Sequence, residues 1–198
     1  MSGTRRGRRP GSPDTRAAIL AAAREAFASS GFGGTTIRGV AAAAGVDAAL
    51  VHHYFGTKDD LFMASLELPV DPRVELAGVV EAGPDGAGER LLRAFLSVWD
   101  DPQSQVPLLA LARAVLAPGG DRLIREGFLP VVVAPVLEQL VADRPRERVP
   151  LVASQMMGLI LVRYVLAVEP LASLPAEAVV AQVAPTLQRY LTGDLDAP

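Results

Sequence analysis

The chain contains two histidines, His52 and His53, and no cysteine. Neighbouring side chains on a helix diverge by about 100°, so these two cannot converge on one metal ion. A Ser-His-Asp catalytic set would have to use one of these two histidines. No glycine-rich phosphate loop follows a strand in the sequence, so nucleotide chemistry is also unsupported. We therefore expect no metal site, no cofactor and no catalytic residue.

The same histidines have the spacing of a surface that bonds to base edges. If Val51 and Phe55 face the core, helical rotation turns Ala49, His52 and His53 outward. The methyl group of Ala49 could contact a thymine methyl, and the His52 ring could donate to or accept from a base edge. This pattern indicates nucleic-acid recognition rather than catalysis.

Polar residues on either side of this surface could hold the phosphate backbone. His53 and Tyr54 are candidates for phosphate contacts. Thr36, at the start of a helix, could bind a phosphate together with the free N–H groups there. Lys58 would add a positive charge. Contacts with the DNA phosphates would thus hold this surface in place on both sides.

The charge of the chain is unevenly distributed, although its net value is −3. Residues 1–63 carry eight basic and five acidic side chains, whereas the remainder carries eleven basic and seventeen acidic ones. The N-terminal part is therefore suited to phosphates and the rest is not.

Short helices must position these residues. We expect helices from near Ser12 or Asp14 to Gly31, from Ile37 to Ala44, from Asp47 to Phe55, and onward from Lys58. Thr35-Thr36 and Asp47 are capping residues, and Gly45 suits a tight turn. The second helix should pack through a side made of Ala41, Ala42 and Ala44. Together these features predict a helix-turn-helix.

The run from Thr35 to Phe62 resembles the DNA-binding signature of the TetR repressors, and Thr15–Phe32 is similar to their first helix. The resemblance implies an obligate dimer built on the last two helices, and a C-terminal ligand pocket. Ligand binding would move the two DNA-binding heads out of register with the operator. Carried over by position, the groove contacts are Thr36, Arg38, Ala48, Ala49, His52, His53, Tyr54 and Lys58.

The sequence departs from that signature in places. His52 stands where the family commonly has tyrosine, and Leu50 where it often has a small or hydroxyl residue, so base preference is not transferable. Gly39 lies within the second helix, at a cost of about 1 kcal/mol relative to alanine. Close packing is the one explanation we offer for it.

The remainder of the chain also has helical periodicity, and no long segment alternates with the period of a strand. We predict an all-α fold with a flexible basic arm at 1–12, a three-helix DNA-binding domain at 13–58 and a larger ligand-binding and dimerisation domain at 59–198. Six further helices should follow along the chain, and Pro130 and Pro135 should kink or split the fourth of them, 120–141. The six are expected near 72–81, 88–100, 104–116, 120–141, 146–168 and 175–191, with loops at 83–86 and 118–120.

The C-terminal helices contain candidates for an effector site, although the aromatic residues and methionines would look the same in an ordinary core. Arg113 and Arg163 each interrupt an apolar helix, and a buried guanidinium needs either an internal carboxylate or an anionic ligand. The low aromatic content favours a largely apolar effector. The full set is Phe95, Trp99, Arg113, Phe128, Met156, Met157 and Tyr164.

The helices near 146–168 and 175–191 are apolar on more than one face, which predicts a homodimer interface. The longest charge-free apolar stretch, Val149–Val162, is shorter than the roughly 20 residues of a membrane span. We therefore expect a cytoplasmic protein without a membrane partner.

These features predict a dimeric DNA-binding regulator, a repressor of a palindromic operator that is released by a small molecule. Two alternatives remain open. One is a constitutive DNA-binding regulator without an effector, and the other is an α-helical enzyme or carrier. An enclosed pocket among the C-terminal helices would separate the first alternative from the leading hypothesis.

Overall fold

The computed structural model describes residues 13–117 and 120–196. These residues contain helices and no strand, which confirms the all-α prediction. The predicted basic arm at 1–12 and most of the predicted loop at 118–120 lie outside the described residues. The chain divides into a first unit, Met1–Glu67, and a second unit, Leu68–Pro198.

The first unit contains four helices. They are α1 (Pro13–Gly34), α2 (Ile37–Ala44), α3 (Ala48–Phe55) and α4 (Lys58–Leu66). The regular turn of α1 breaks at Gly31, where φ is 70°, and the chain then folds back so that Phe32 stacks on Phe27 with 5.8 Å between ring centroids. The predicted stop at Gly31 is therefore a kink, because the backbone leaves the helical conformation there and helical residues continue to Gly34.

The core of the first unit forms where α1 packs against α2 and α4. Phe62 of α4 meets Phe27 and Phe32 edge-on, with ring centroids 5.0 and 5.4 Å apart. Ile19, Val51 and Leu61 are fully buried in the same unit. The aliphatic and aromatic positions that recur at helical spacing therefore build this core.

The domain boundary lies later than we predicted. We expected it after Lys58, but the first unit extends through α4 to Glu67. The reason is packing, because Leu61 and Phe62 are buried against α1. Arg24 of α1 also bonds to the Ser65 carbonyl at 3.3 Å and to the Glu67 carboxylate. The first compact unit therefore contains α4 in addition to the three helices of the predicted DNA-binding domain.

The second unit contains seven α-helices and two π-helical segments among its described residues. These are α5 (Pro72–Glu75), α6 (Ala77–Glu81), α7 (Ala87–Trp99), α8 (Pro102–Leu116), a π-helical segment Leu123–Val133, α9 (Ala134–Leu137), α10 (Pro145–Leu159) continuing as π-helical Ile160–Val165, and α11 (Ala176–Thr192). Its core forms mainly between α7, α10 and α11, where Leu92, Val152 and Leu187 are fully buried.

Two predicted helices differ from the structure. The segment 72–81 is two short helices that meet at Leu76. Within 120–141, Pro130 lies inside a π-helical segment rather than at a break, and the backbone becomes α-helical only at Ala134, beside Pro135. A wider turn accommodates a residue that has no N–H to donate to the preceding turn.

The continuous helix Pro145–Val165 has 21 residues and is, by length and composition alone, apolar enough to cross a membrane. Two of its arginines, Arg148 and Arg163, are nevertheless buried within the second unit. Arg148 donates from Nε to Asp143 at 2.6 Å and from its terminal nitrogens to the carbonyls of Tyr190 and Gly193 at 3.0 and 2.9 Å. Arg148 therefore caps the C-terminal end of α11.

Candidate nucleic-acid interface

Side-chain caps fix the turn between α2 and α3. The Gly39 N–H donates to the Thr36 hydroxyl at 3.0 Å, and the Ala49 N–H donates to the Asp47 carboxylate at 2.7 Å. Gly45 adopts a left-handed conformation with φ of 68°, and the next N–H, that of Val46, donates to the Ala41 carbonyl at 2.9 Å. This is the helix-turn-helix geometry that the sequence predicts.

Gly39 lies close to the residue that caps its own helix. A Cβ added at this position would lie 3.1 Å from the Thr36 hydroxyl oxygen, which is a tight contact. Gly39 is exposed, so the close packing that we suggested is with this cap and not with a neighbouring helix.

The α3 helix has one buried and one exposed side. Val51 and Phe55 are buried at 0% and 8% exposure, whereas Ala49, His52 and His53 are exposed. The three residues that helical rotation predicts to face outward are therefore the exposed ones. Ala48 is partly buried beside this face.

The inner side of α2 is narrower than predicted. Ala41 is 2% exposed and Ala44 is partly buried, but Ala42 is exposed and does not belong to the packed side. Thr36 and Arg38 are exposed, so both are available to a phosphate group.

Tyr54 and Lys58 are less accessible than a surface contact requires. The Tyr54 hydroxyl is shielded from solvent and bonds to none of the described residues. The Lys58 ammonium lies 4.2 Å from the centroid of the Phe32 ring, a cation–π geometry. The Tyr54 hydroxyl would have to become exposed before it could bind DNA, whereas the Lys58 ammonium would have to bind a phosphate from above the Phe32 ring or leave it.

Sequence reasoning missed two features of this surface. Thr57 and Asp60 form a reciprocal capping box at the start of α4, a pattern recognisable from a hydroxyl residue followed three positions later by an acidic one. Arg16 is exposed on α1, with its guanidinium carbon 5.2 Å from the centroid of the Phe55 ring. That contact places a further cation beside the end of α3, and no sequence motif indicates it.

Three of the predicted effector residues come together in the second unit. The Trp99 ring lies 5.8 Å from that of Phe95 and 5.0 Å from that of Tyr164, centroid to centroid. The Tyr164 hydroxyl donates to Asp100 at 2.9 Å. Burial and this hydrogen bond raise the pKa of Tyr164 well above its usual value, so the phenol stays neutral.

The two arginines of the predicted set differ. Arg163 is buried and donates to the carbonyls of Leu171 and Leu174 at 2.6 and 2.9 Å, with Asp100 at 3.5 Å. Its partners are therefore internal. Arg113 is exposed on α8, so our expectation that its guanidinium is buried was wrong. Its helix is apolar in composition but leaves this position open to water.

The remaining candidates do not complete an enclosed site. Met156 packs against the core, and Phe128 and Met157 are partly buried. Two open hollows occur among the described residues of the second unit, with volumes of about 330 and 430 Å³. None of the seven predicted effector residues lines either hollow. The larger hollow lies beside Arg148, and the smaller one lies between Arg93 and Glu177.

Possible metal ligands are equally scattered. The described residues contain no group of three or more histidine, aspartate and glutamate side chains placed to hold a metal ion.

Comparison with known proteins identifies the family of both units. Residues 19–64 match the family described as bacterial regulatory proteins, tetR family, and residues 85–191 match the tetracyclin repressor-like C-terminal domain. A TetR-family regulator from Streptomyces coelicolor A3 has a similar solved structure, with a TM-score of 0.53 and 38% identity. The similarity covers 94% of this chain and 99% of that one.

Two curated mycobacterial proteins are similar over a shorter region. An HTH-type transcriptional repressor of Mycobacterium tuberculosis is 37% identical over 101 residues, which are 48% of this chain and 54% of that protein. An HTH-type transcriptional regulator of Mycobacterium bovis matches to the same extent. The match with this chain spans about half the length of these curated relatives. The two family domains together cover most of the chain, which therefore belongs to the TetR family of transcriptional regulators, a family of DNA-binding proteins rather than enzymes.

Proposed function

We propose that two copies of this chain bind a two-fold symmetric DNA site, each placing α3 in a major groove, and repress transcription until an apolar small molecule releases them. The observation that carries the proposal is the two-sided α3. Its inner residues Val51 and Phe55 are buried, and its outer residues Ala49, His52 and His53 are exposed. A helix presented in this way fits a major groove about 12 Å wide.

Unburied apolar surface on α10 supports the dimer. Only 28% of the most apolar part of the helix Pro145–Val165 is buried within the chain. Beyond its end, Leu166 and Val168 are 60% and 46% exposed. A second copy is the economical cover for such a surface, because a two-fold axis pairs the same patch with itself. Two copies would also double the base contacts of one short helix.

The proposal of an effector depends on the aromatic cluster of Phe95, Trp99 and Tyr164. Aromatic side chains supply large apolar contact areas and can separate to admit a ligand. Neither of the two hollows described above is lined by this cluster, so a ligand would enter it only if the rings separate. We propose repression because the similar mycobacterial protein is named a transcriptional repressor. A protein that acts on bacterial DNA works in the cytoplasm, so we also propose a cytoplasmic location.

Selection from a random-sequence duplex library tests the DNA-binding proposal. We expect the enriched sequences to be two-fold symmetric, with half-sites about one helical turn apart or a multiple of that spacing. Two chains should bind each duplex in analytical ultracentrifugation. Enrichment of no sequence, or binding of a single chain to an asymmetric site, would contradict the proposal.

The fluorescence of Trp99, the only tryptophan of the chain, tests the effector proposal. A panel of apolar compounds should contain members that change this emission and release the selected duplex at the same concentration. A Phe95→Ala variant should need more compound for both effects, whereas Arg113→Ala should not. If no compound changes both signals, a constitutive regulator becomes the better description.

A further inference from the structure

The His52 ring bonds to the backbone at the end of its own helix. Its Nδ1 lies 2.8 Å from the carbonyl oxygen of Gly56. A carbonyl oxygen can only accept a hydrogen bond, so Nδ1 must carry the hydrogen. A neutral imidazole has one such hydrogen, and the other nitrogen, Nε2, is then left with a lone pair. The backbone thus selects one of the two neutral forms of His52.

The Nε2 atom of His52 is free to contact a ligand. It lies at the tip of the ring, away from the backbone, and the residue is exposed. Within the part of the chain that the structure describes, the ring bonds only through Nδ1. His53 differs, because its contact is with the Tyr54 ring, 5.8 Å away between centroids, and none of the described residues offers its ring a backbone carbonyl.

We propose that His52 is a specificity-determining residue, whose Nε2 accepts a hydrogen bond from the exocyclic amino group of adenine or cytosine in the major groove. This inference rests on the proposed function. The N6 group of adenine and the N4 group of cytosine are the donors on the major-groove edge. Guanine O6 and N7 and thymine O4 are acceptors, and each would face the lone pair of Nε2 without a hydrogen between them.

Base analogues that lack only the amino group are the decisive probe, because every base pair carries one such group. In a selected duplex, each adenine of a half-site is replaced in turn by purine, and each cytosine by 2-pyrimidinone. We expect one replacement per half-site to weaken wild-type binding about three- to tenfold, the range of one hydrogen bond. This experiment uses the wild-type protein, so its outcome does not depend on whether a variant folds.

A double-mutant cycle then assigns that effect to His52. His52→Ala should bind the natural duplex and the analogue with equal affinity at that position, while remaining sensitive to changes elsewhere in the half-site. His53→Ala is the matched control and should keep the wild-type ratio. Equal sensitivity of wild type and His52→Ala to every analogue would overturn the inference.

Nitrogen-15 NMR measures the form of the ring directly. The chain has two histidines, so the His53→Ala variant assigns the remaining signal to His52. In the neutral ring, we expect the hydrogen of His52 to reside on Nδ1. A hydrogen on Nε2 would overturn the inference and leave the proposed function intact. If wild type binds no duplex at all, both fail together.

Discussion

At the scale of single residues, Lys58 has a contact within the fold and a proposed contact with DNA. Its ammonium lies above the Phe32 ring, and we propose that it can also reach a DNA phosphate. We expect Lys58→Ala to weaken all duplexes by a similar factor and to reduce the slope of log affinity against log salt by about one.

Titration with labelled duplex at several salt concentrations measures that slope. Lys58→Arg keeps the charge and is the control, for which the slope should stay close to the wild-type value. An unchanged slope in Lys58→Ala would mean that the ammonium stays on Phe32 and does not reach a phosphate.

Arg163 is the residue whose loss should damage the second unit most clearly. Its guanidinium is buried and bonds to two carbonyls, those of Leu171 and Leu174, and approaches Asp100. Arg163→Met would leave these partly buried carbonyls without this donor, so we expect a loss of about 1–3 kcal/mol in the free energy of unfolding.

Urea unfolding compares this variant with Arg113→Met, which changes an exposed arginine of the same unit. The control should remain within about 0.5 kcal/mol of wild type. Similar losses in both variants would contradict an internal role for Arg163. They would also reopen the possibility that its guanidinium is kept for an anionic ligand.

At the scale of elements, Gly45 determines how α2 turns into α3. Its φ of 68° is in the left-handed region, and a Cβ there would meet no atom within 4 Å. The cost of Gly45→Ala is therefore backbone strain alone, about 1 kcal/mol or slightly more in the free energy of unfolding.

Gly33→Ala is a matched control, because it also has open space around the added Cβ but no left-handed φ. Gly45→Asn should lose less than Gly45→Ala, since asparagine tolerates the left-handed region. Chemical denaturation of the three variants distinguishes strain from steric contact. Equal stability of Gly45→Ala and Gly33→Ala would contradict the turn geometry.

The elements of the first unit were predictable because their signals are local. Thr36, Asp47 and Gly45 mark helix ends within a few positions, and the spacing of Val51 and Phe55 fixes the buried side of α3. The membership of α4 was not predictable in the same way. It depends on Phe62 meeting Phe27 and Phe32, which are far away along the chain.

Side-chain positions in the candidate sites were less predictable than helix ends. The shielded hydroxyl of Tyr54 and the carbonyl bond of His52 depend on rotamers, which helical periodicity does not determine. Arg113 and Arg163 look alike in sequence, yet one is exposed and the other is buried. The difference arises because the carbonyls of Leu171 and Leu174 approach only Arg163.

At the scale of the whole molecule, the uneven charge fits the proposal that the N-terminal part binds DNA and the remainder binds the effector. The basic side chains of residues 1–63 favour DNA, whereas the acidic excess of the remainder disfavours it. Binding should therefore weaken steeply with added salt, as is usual when phosphates supply much of the affinity.

The central claim is that the exposed face of α3 contacts DNA, and the affinity of Ala49→Glu for the selected duplex tests it most directly. Ala49 lies on that face, and Ala28 is an equally exposed alanine on α1. We predict that Ala49→Glu lowers affinity by on the order of a hundredfold, because a carboxylate is pushed against the DNA, while Ala28→Glu changes it little. Equal affinities for the two variants, both folded, would contradict the account.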